Sequence, residues 1–303
     1  AQFQSAHVGL CRLQEEVDQR CCDIATENRL VSAIEDMRWD YLRARAFPAI
    51  PSSQWLGIED DDQIGGYTLE HEIAPSSIGC FRAVRQGGGV RSGALGMLTV
   101  DKQRDVSSLG DLAQLSGFLR IMEHLDRAPH PNISRLVSVF SGSFSLCFCL
   151  ELAGQRTLMS RLRWRDFPTG ATPLHLTPAG LQSLLVQVTL AVCHLHLVAN
   201  VCHRAISPDT ISLRERGDGM IEAKVFGFES SQPQFAGQRC VAAPCAAYPY
   251  LAPEADLGGE NGYDGKAADM WAVGVTFLDA ARGLHVAQRV LLGGGDSPGP
   301  RWA

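Results

Sequence analysis

The sequence has 303 residues, of which 45% are hydrophobic and 20% are charged. These proportions are ordinary for a globular protein with a sizeable core, arranged as one large or two medium domains. The net charge of −6 gives no support to a nucleic-acid partner, which requires a basic face. The chain starts without a signal peptide, and we predict no membrane span, because the longest apolar run, "LLVQVTLAVCHLHLVAN", contains polar residues and is predicted to be a buried helix.

The predicted elements divide the chain into four parts. Residues 1–66 are predicted to form a helical extension and an acidic linker, since apolar residues recur at helical spacing between positions 8 and 45. Residues 67–152 show three strand patterns, one helical pattern and two further strand patterns. Residues 153–290 are mostly helical, and residues 291–303 have the composition of a disordered tail. This order predicts an α+β fold with a small β-rich lobe before a helical one.

Five short motifs follow one another in the second and third parts. They are "HPNI" at 130–133, "LHLVANVCHRAISPDTISL" at 195–213, "VFGFE" at 225–229, "YLAPEA" at 250–255 and "DMWAVGV" at 269–275. With the element order, these motifs resemble the protein-kinase fold over residues 67–285. The resemblance implies two lobes: an N-lobe of five strands and the helix called αC, and a mostly helical C-lobe. Only a short stretch follows "DMWAVGV", so we expect the C-lobe to be incomplete after the helix called αF.

The resemblance also identifies the positions that carry kinase chemistry. The catalytic-loop aspartate, which accepts the substrate proton, corresponds to Ala205, and the loop lysine corresponds to Ser207. The two metal-binding positions correspond to Thr210 and Val225. A methyl group cannot accept a proton, and valine has no oxygen for Mg²⁺.

The nucleotide-binding positions depart from the family pattern as well. Ala74 and Ser76 stand at the first two glycines of the glycine-rich loop, where only Gly79 remains. A loop without glycine cannot bring its backbone as close to phosphates. The simplest register places Asp101 at the strand lysine and Phe118 at its partner on αC. We therefore expect no bound nucleotide, cofactor or metal.

Residues that shape the kinase scaffold are kept, in contrast to those that carry the chemistry. They are His203, Arg204, Phe226, Gly227, Ala252, Pro253, Glu254, Asp269, Trp271 and Gly274. The resemblance therefore implies a pseudokinase, which is not an enzyme and works as a protein-binding scaffold or allosteric regulator. Two alternatives stay open: a weak or atypical nucleotide-dependent transferase that uses Asp209 or Glu229, and a structural component of a secreted matrix.

The ten cysteines and the helical extension indicate a narrower group. With the altered loop, they are similar to the secreted rhoptry-type kinases and pseudokinases of apicomplexan parasites, including those of the bradyzoite cyst wall. That resemblance implies export to the rhoptry, the parasitophorous vacuole or the cyst wall. It also implies a protein partner, either a host protein or an active kinase of the same family. Cys240 and Cys245, in a loop rich in proline and alanine, are the candidate disulfide.

Overall fold

The computed structural model describes residues 63–64, 67–86, 94–101, 104–106, 109–141, 145–163, 176–216, 220–240, 245–257, 262–284 and 286–292. The helices predicted between residues 8 and 45 and most of the predicted disordered tail lie outside these ranges.

The N-lobe is an antiparallel sheet covered on one face by a helix. Its elements are β1 (Gln63–Ile64), β2 (Tyr67–Ser76), β3 (Gly79–Gln86), β4 (Ala94–Asp101), α1 (Leu109–Arg127), β5 (Leu136–Ser141) and β6 (Ser145–Leu152). The strand order is β1-β2-β3-β4-β6-β5. Strand side chains alternate between the two faces, so Phe148 and Leu150 of β6 join the main core, while Cys147 and Cys149 pack on the outer face with Met97. The predicted fold class, with five principal strands and αC, is confirmed.

The sheet begins slightly earlier than the predicted domain boundary. Gln63 and Ile64 lie in the segment predicted as a linker, yet they pair with Thr68 and Tyr67. Ile64 is buried against the outer face of the sheet. Its apolar side chain supplies the free energy that adds this two-residue strand to the sheet edge.

The C-lobe combines helices with short strands. Its elements are β7 (Arg156–Thr157), α2 (Leu158–Arg163), α3 (Pro178–His194), a π-helical turn (Leu195–Ala199), β8 (Val201–Cys202), a 3₁₀ helix (Pro208–Thr210), β9 (Ile211–Glu215), β10 (Ile221–Val225), a 3₁₀ helix (Phe228–Ser230), β11 (Gln232–Pro233), α4 (Pro253–Asp256), α5 (Gly265–Arg282) and α6 (Val286–Leu292). Helix α3 is capped at its start by Thr177, whose hydroxyl accepts a hydrogen bond from the Gly180 amide at 3.0 Å.

One further helix follows α5. The amide of Ala287 in α6 donates to the buried carboxylate of Asp279 in α5 at 3.0 Å, which fixes α6 against α5. The tail predicted to be disordered from residue 291 therefore begins inside this helix, which ends at Leu292.

Helix α3 is less buried than the sequence predicts. One of its faces lies in the core, but Val186 and Leu190 of α3 and Leu197 of the following π-helical turn are 50%, 52% and 79% exposed on the opposite side. These three residues, spaced by four and seven positions, form what we call the α3 apolar face. By length and composition alone, Pro178–Ala199 could also cross a membrane. We assign it to the C-lobe because the carbonyl of His196 accepts a hydrogen bond from Lys266 of α5 at 2.8 Å.

Candidate functional site

The catalytic loop, residues 203–210, rests on one buried carboxylate of α5. Asp269, 1% exposed, accepts hydrogen bonds from the amides of His203 and Arg204, both at 2.7 Å. The Nε2 of His196 donates to the same carboxylate at 2.9 Å. Charged acceptors form the stronger class of hydrogen bonds, so Asp269 fixes the start of the loop to the helix beneath it.

His203 holds the loop to the segment that follows β10. Its Nε2 lies 3.0 Å from the carbonyl oxygen of Phe226, and its ring packs against Phe228 at 4.8 Å. Complete burial lowers the pKa of His203, because the charged imidazolium is disfavoured away from water. A neutral, fully enclosed imidazole connects the two segments and does not reach a ligand in the cleft.

Arg204 is directed away from the cleft, into the C-lobe. Its backbone φ is 68°, in the left-handed region, and the side chain is buried. The Nε donates to the Tyr263 hydroxyl at 2.8 Å, and a terminal nitrogen donates to the Ser230 carbonyl at 2.9 Å. Arg204 thus joins the catalytic loop to two later parts of the chain.

The remaining loop positions form a turn stabilised by its own side chains. The Ser207 hydroxyl accepts a hydrogen bond from the Asp209 amide, while the Thr210 hydroxyl accepts one from the Ser207 amide at 3.0 Å. This is a reciprocal capping box, which starts the 3₁₀ helix at Pro208. The Thr210 hydroxyl is therefore engaged inside the loop, and Ala205 offers only a methyl group.

Val225 is completely buried where β10 meets the "HPNI" segment. Its amide donates to the Asn132 carbonyl at 2.8 Å, and its carbonyl accepts from the Ser134 amide at 2.9 Å. The next two residues continue this packing. Phe226 is 1% exposed, and Gly227 has a φ of 84° that lets it approach the Thr210 side chain.

The segment that corresponds to the glycine-rich loop is a tight hairpin closed onto the C-lobe. Ser76 pairs with Gly79 across a two-residue turn. The Ser76 hydroxyl donates a hydrogen bond to the carboxylate of Glu229, in the 3₁₀ helix after Gly227. Burial raises the pKa of Glu229. Ser76 of the N-lobe and Glu229 of the C-lobe therefore meet inside the cleft between the lobes.

Aromatic packing closes the same cleft. Phe81 of β3 meets Phe226 edge to face, with ring centroids 4.9 Å apart and planes at 84°. Both rings are 1% exposed, so they contribute burial as well as favourable ring geometry. The hairpin is held down by this pair and by the Ser76–Glu229 bond.

The position on β4 that faces α1 is Val100 rather than Asp101. Val100 belongs to the core cluster that contains Phe118, whereas alternation turns Asp101 to the other face. The Asp101 carboxylate accepts a hydrogen bond from the Arg104 amide at 2.9 Å in the turn after β4. Phe118 of α1 packs edge to face on Phe148 at 5.4 Å. Asp101 therefore lies on the strand face opposite to Val100, and its assignment to the position of the strand lysine stays a prediction.

The "YLAPEA" motif and α5 lie below the loop. Ala252 is buried at the start of α4, with Pro253 as its first residue, while Glu254 is exposed and forms no ion pair with any described residue. The Trp271 indole donates to the Pro249 carbonyl at 3.4 Å. Gly274 lies on the exposed side of α5, where an added methyl group would contact nothing within 4 Å.

Two cysteines meet at the start of α5, in a pairing the sequence did not indicate. The Sγ of Cys240 lies 3.3 Å from the Sγ of Cys202, and both are buried free thiols. Cys245, the partner predicted for Cys240, is exposed and forms no disulfide with it. Sequence spacing could not reveal this contact, because Cys202 and Cys240 are 38 residues apart.

The residues at the family's nucleotide and magnesium positions do not fit a magnesium nucleotide. Mg²⁺ requires oxygen ligands, yet Val225 is apolar and the Thr210 hydroxyl is used within the loop. Val100 supplies no cation for phosphate. The carboxylate inside the cleft is that of Glu229, and it is bonded to Ser76.

Comparison with known proteins identifies the family. The model of the protein kinase domain matches residues 91–290. The chain belongs to the protein kinase family. Similar relatives include developmentally-regulated protein kinase 1 of Dictyostelium discoideum, 29% identical over 51% of this chain and 19% of that protein. CBL-interacting protein kinase 22 of Oryza sativa subsp. japonica is 31% identical over 49% of this chain and 32% of that protein. Human ribosomal protein S6 kinase alpha-4 is 29% identical over 48% of this chain and 18% of that protein.

These matches correct one prediction and leave others open. All three relatives are named protein kinases, so the prediction that this kinase-family chain is not an enzyme is contradicted. The matched segments span less than a third of each relative's own length. Membership of the rhoptry-type group, secretion and the identity of the partner stay predictions.

Proposed function

We propose that this kinase-family chain acts by binding a protein partner, as a scaffold or an allosteric regulator. The observation that carries the proposal is the α3 apolar face, where Val186, Leu190 and Leu197 are each at least half exposed. Leu185 and Val198 flank it and are 42% and 57% exposed. Exposed apolar residues on one side of a helix are characteristic of protein–protein contact when they form a patch. The predicted partner, a host protein or an active kinase of the same family, would offer a complementary apolar surface.

The closed cleft supports the same proposal. The Ser76–Glu229 bond and the Phe81–Phe226 contact occupy the space between the lobes with the chain's own side chains. Because these contacts join the lobes directly, their relative position is fixed without a ligand. A fixed relation between the lobes presents a constant surface to a partner.

A binding experiment with matched variants tests the proposal. The immobilised chain should retain a partner from cell extract, and Leu190→Glu with Leu197→Glu should abolish retention, since both place charge on the α3 apolar face. Leu257→Glu is the control, because Leu257 is 65% exposed at the C-terminal end of α4. Light scattering on the purified chain distinguishes self-association from a different partner. Equal retention by all variants would contradict the proposal.

A second candidate is atypical nucleotide-dependent phosphoryl transfer, favoured by the names of the relatives and by one carboxylate. Glu229 lies in the cleft beside Ser76 and close to Gly227 and Thr210. Asp209 is a second acidic group in the loop, and burial raises its pKa. These two residues are the ones that the sequence also marked for such an activity.

Incubation with labelled ATP and Mg²⁺ tests this second candidate. Transfer of label to the chain or to a generic protein substrate should occur and be lost in Glu229→Gln and Asp209→Asn. Asp256→Asn, at an exposed carboxylate of α4, is the control that should keep the activity. A thermal shift with ATP and Mg²⁺ should accompany transfer. Absence of both label and shift would eliminate this candidate.

A further inference from the structure

The contact between Cys202 and Cys240 joins the catalytic loop to the segment before α4. Cys202 ends β8, immediately before His203, and Cys240 pairs through its backbone with Tyr263. Both thiols are almost completely buried, and their sulfurs are 3.3 Å apart. A covalent link between them would therefore tie two parts of the C-lobe that are otherwise joined by hydrogen bonds.

The local backbone is shaped to hold two sulfurs side by side. A Cβ at Gly265, the first residue of α5, would lie 2.7 Å from both Sγ atoms. Glycine at this position therefore leaves the space that the thiols occupy. The start of an 18-residue helix also presents partial positive charge, which favours a thiolate.

The surroundings favour the thiolate on Cys240. The hydrogen bond with the Cys202 thiol, the positive charge of Arg204 and the Gly265 amide together hold the pKa of Cys240 below its usual range. Thiolates, not thiols, react with oxidants. A small cavity lined by Arg204, Tyr263 and the exposed Cys245 adjoins this place.

We propose that Cys202 and Cys240 are a redox modification site, at which a hydroperoxide converts the thiol pair into a disulfide. The Cys240 thiolate attacks one peroxide oxygen and breaks the O–O bond, which gives a sulfenic acid and, with hydrogen peroxide, releases hydroxide that takes up a proton to form water. The Cys202 sulfur then attacks the Cys240 sulfur and displaces a second water. Two thiols are oxidised and one peroxide is reduced to two waters. The proposal does not depend on the partner-binding function.

Peptide mapping of the full chain after treatment with hydrogen peroxide tests the proposal. Tryptic cleavage leaves Cys240 with Cys245 in one peptide and Cys202 with Cys193 in another. A variant with Cys193→Ser and Cys245→Ser therefore identifies the bond without ambiguity. We expect these two peptides to be linked in the wild type and in this variant, and to separate on reduction with dithiothreitol. The link should be absent from Cys202→Ser and from Cys240→Ser.

Thermal unfolding gives an independent measurement. The bond would close a loop of 38 residues, so oxidation should raise the melting temperature by roughly 4–12 °C, reversibly, in the wild type and the double variant. Cys240→Ser should show no such shift. The proposal is overturned if oxidation yields a Cys240–Cys245 bond, or if it modifies the exposed Cys245 while Cys202 and Cys240 stay reduced.

Discussion

The underside of the catalytic loop and its cleft side are built from opposite kinds of residue. Beneath the loop, the buried carboxylate of Asp269 accepts hydrogen bonds from two amides and from His196. On the cleft side, Ala205 and Val225 present hydrocarbon at positions where the family places carboxylates. The residues that hold a kinase loop in its conformation are therefore different from the residues that act on a nucleotide. The loop keeps its conformation because its support lies on the far side from the cleft.

The largest expected effect comes from removing the support below the loop. Asp269→Ala leaves two buried amides and one imidazole without their acceptor, and should reduce the free energy of unfolding by about 3–5 kcal/mol. Urea denaturation measures this change. Asp269→Asn, which keeps one acceptor oxygen, should lose less. A loss below about 1 kcal/mol for Asp269→Ala would mean that the underside does not hold the loop.

Placing an aspartate at Val225 or at Ala205 should affect the stability of the fold to different extents. Val225 is completely buried, so Val225→Asp places an unpaired carboxylate in the core and should cost about 2–4 kcal/mol. Ala205 is partly exposed, and Ala205→Asp should change stability by no more than about 0.5 kcal/mol. Denaturation of both variants under one condition is the measurement. Equal decreases in the free energy of unfolding would show that a carboxylate is as unfavourable at position 205 as at position 225.

Two glycines test how closely the segments of the cleft pack. Gly227→Ala forces a side chain into a left-handed backbone, with the new methyl group 2.9 Å from Thr210, and should cost about 1–2 kcal/mol. Gly274→Ala, on the open side of α5, should instead stabilise by about 0.5–1 kcal/mol, because alanine favours helix. Thermal unfolding of the pair gives the difference. A gain in stability from Gly227→Ala would refute the packing described for Gly227.

The smallest effect is a pH dependence of the cleft side. Burial raises the pKa of Glu229 above its ordinary value of 4.5, so the folded chain binds this proton more tightly than the unfolded chain. Its stabilising contribution is complete below pH 4.5 and is lost as the pH rises through the raised pKa. The free energy of unfolding of the wild type, less that of Glu229→Gln, should therefore decrease as the pH rises. The decrease for one proton is at most about 1.4 kcal/mol per pH unit. A flat difference would show that the carboxylate is not enclosed.

The fold could be predicted from the spacing of the motifs, because the motifs are local sequence patterns that mark particular turns and loops. The positions of His203, Phe226 and Asp269 along the chain were sufficient to place the loop above α5. The register of β4 is harder to predict, because a shift of one residue exchanges the two faces of a strand. Only the packing of Val100 into the core decides which face is inward.

Two other features depend on packing between distant segments. The α3 run is mostly apolar, so its sequence predicts burial, and only the arrangement of the neighbouring elements shows that one side is left open. The contact between Cys202 and Cys240 depends on the missing side chain of Gly265, which no cysteine spacing reveals. The carboxylate in the cleft could be suspected from "VFGFE", but its partner Ser76 lies 153 residues away.

In the Ser76–Glu229 bond, the Ser76 hydroxyl acts as an intramolecular ligand of the carboxylate in the cleft. Because the hairpin carries this hydroxyl to the carboxylate, its effective concentration there is on the order of millimolar or higher. Any free molecule that donates a hydrogen bond to the Glu229 carboxylate must compete with the Ser76 hydroxyl. Loss of the hydroxyl in Ser76→Ala would remove the competitor, so the affinity of the cleft for small hydrogen-bond donors is set by a residue of the opposite lobe.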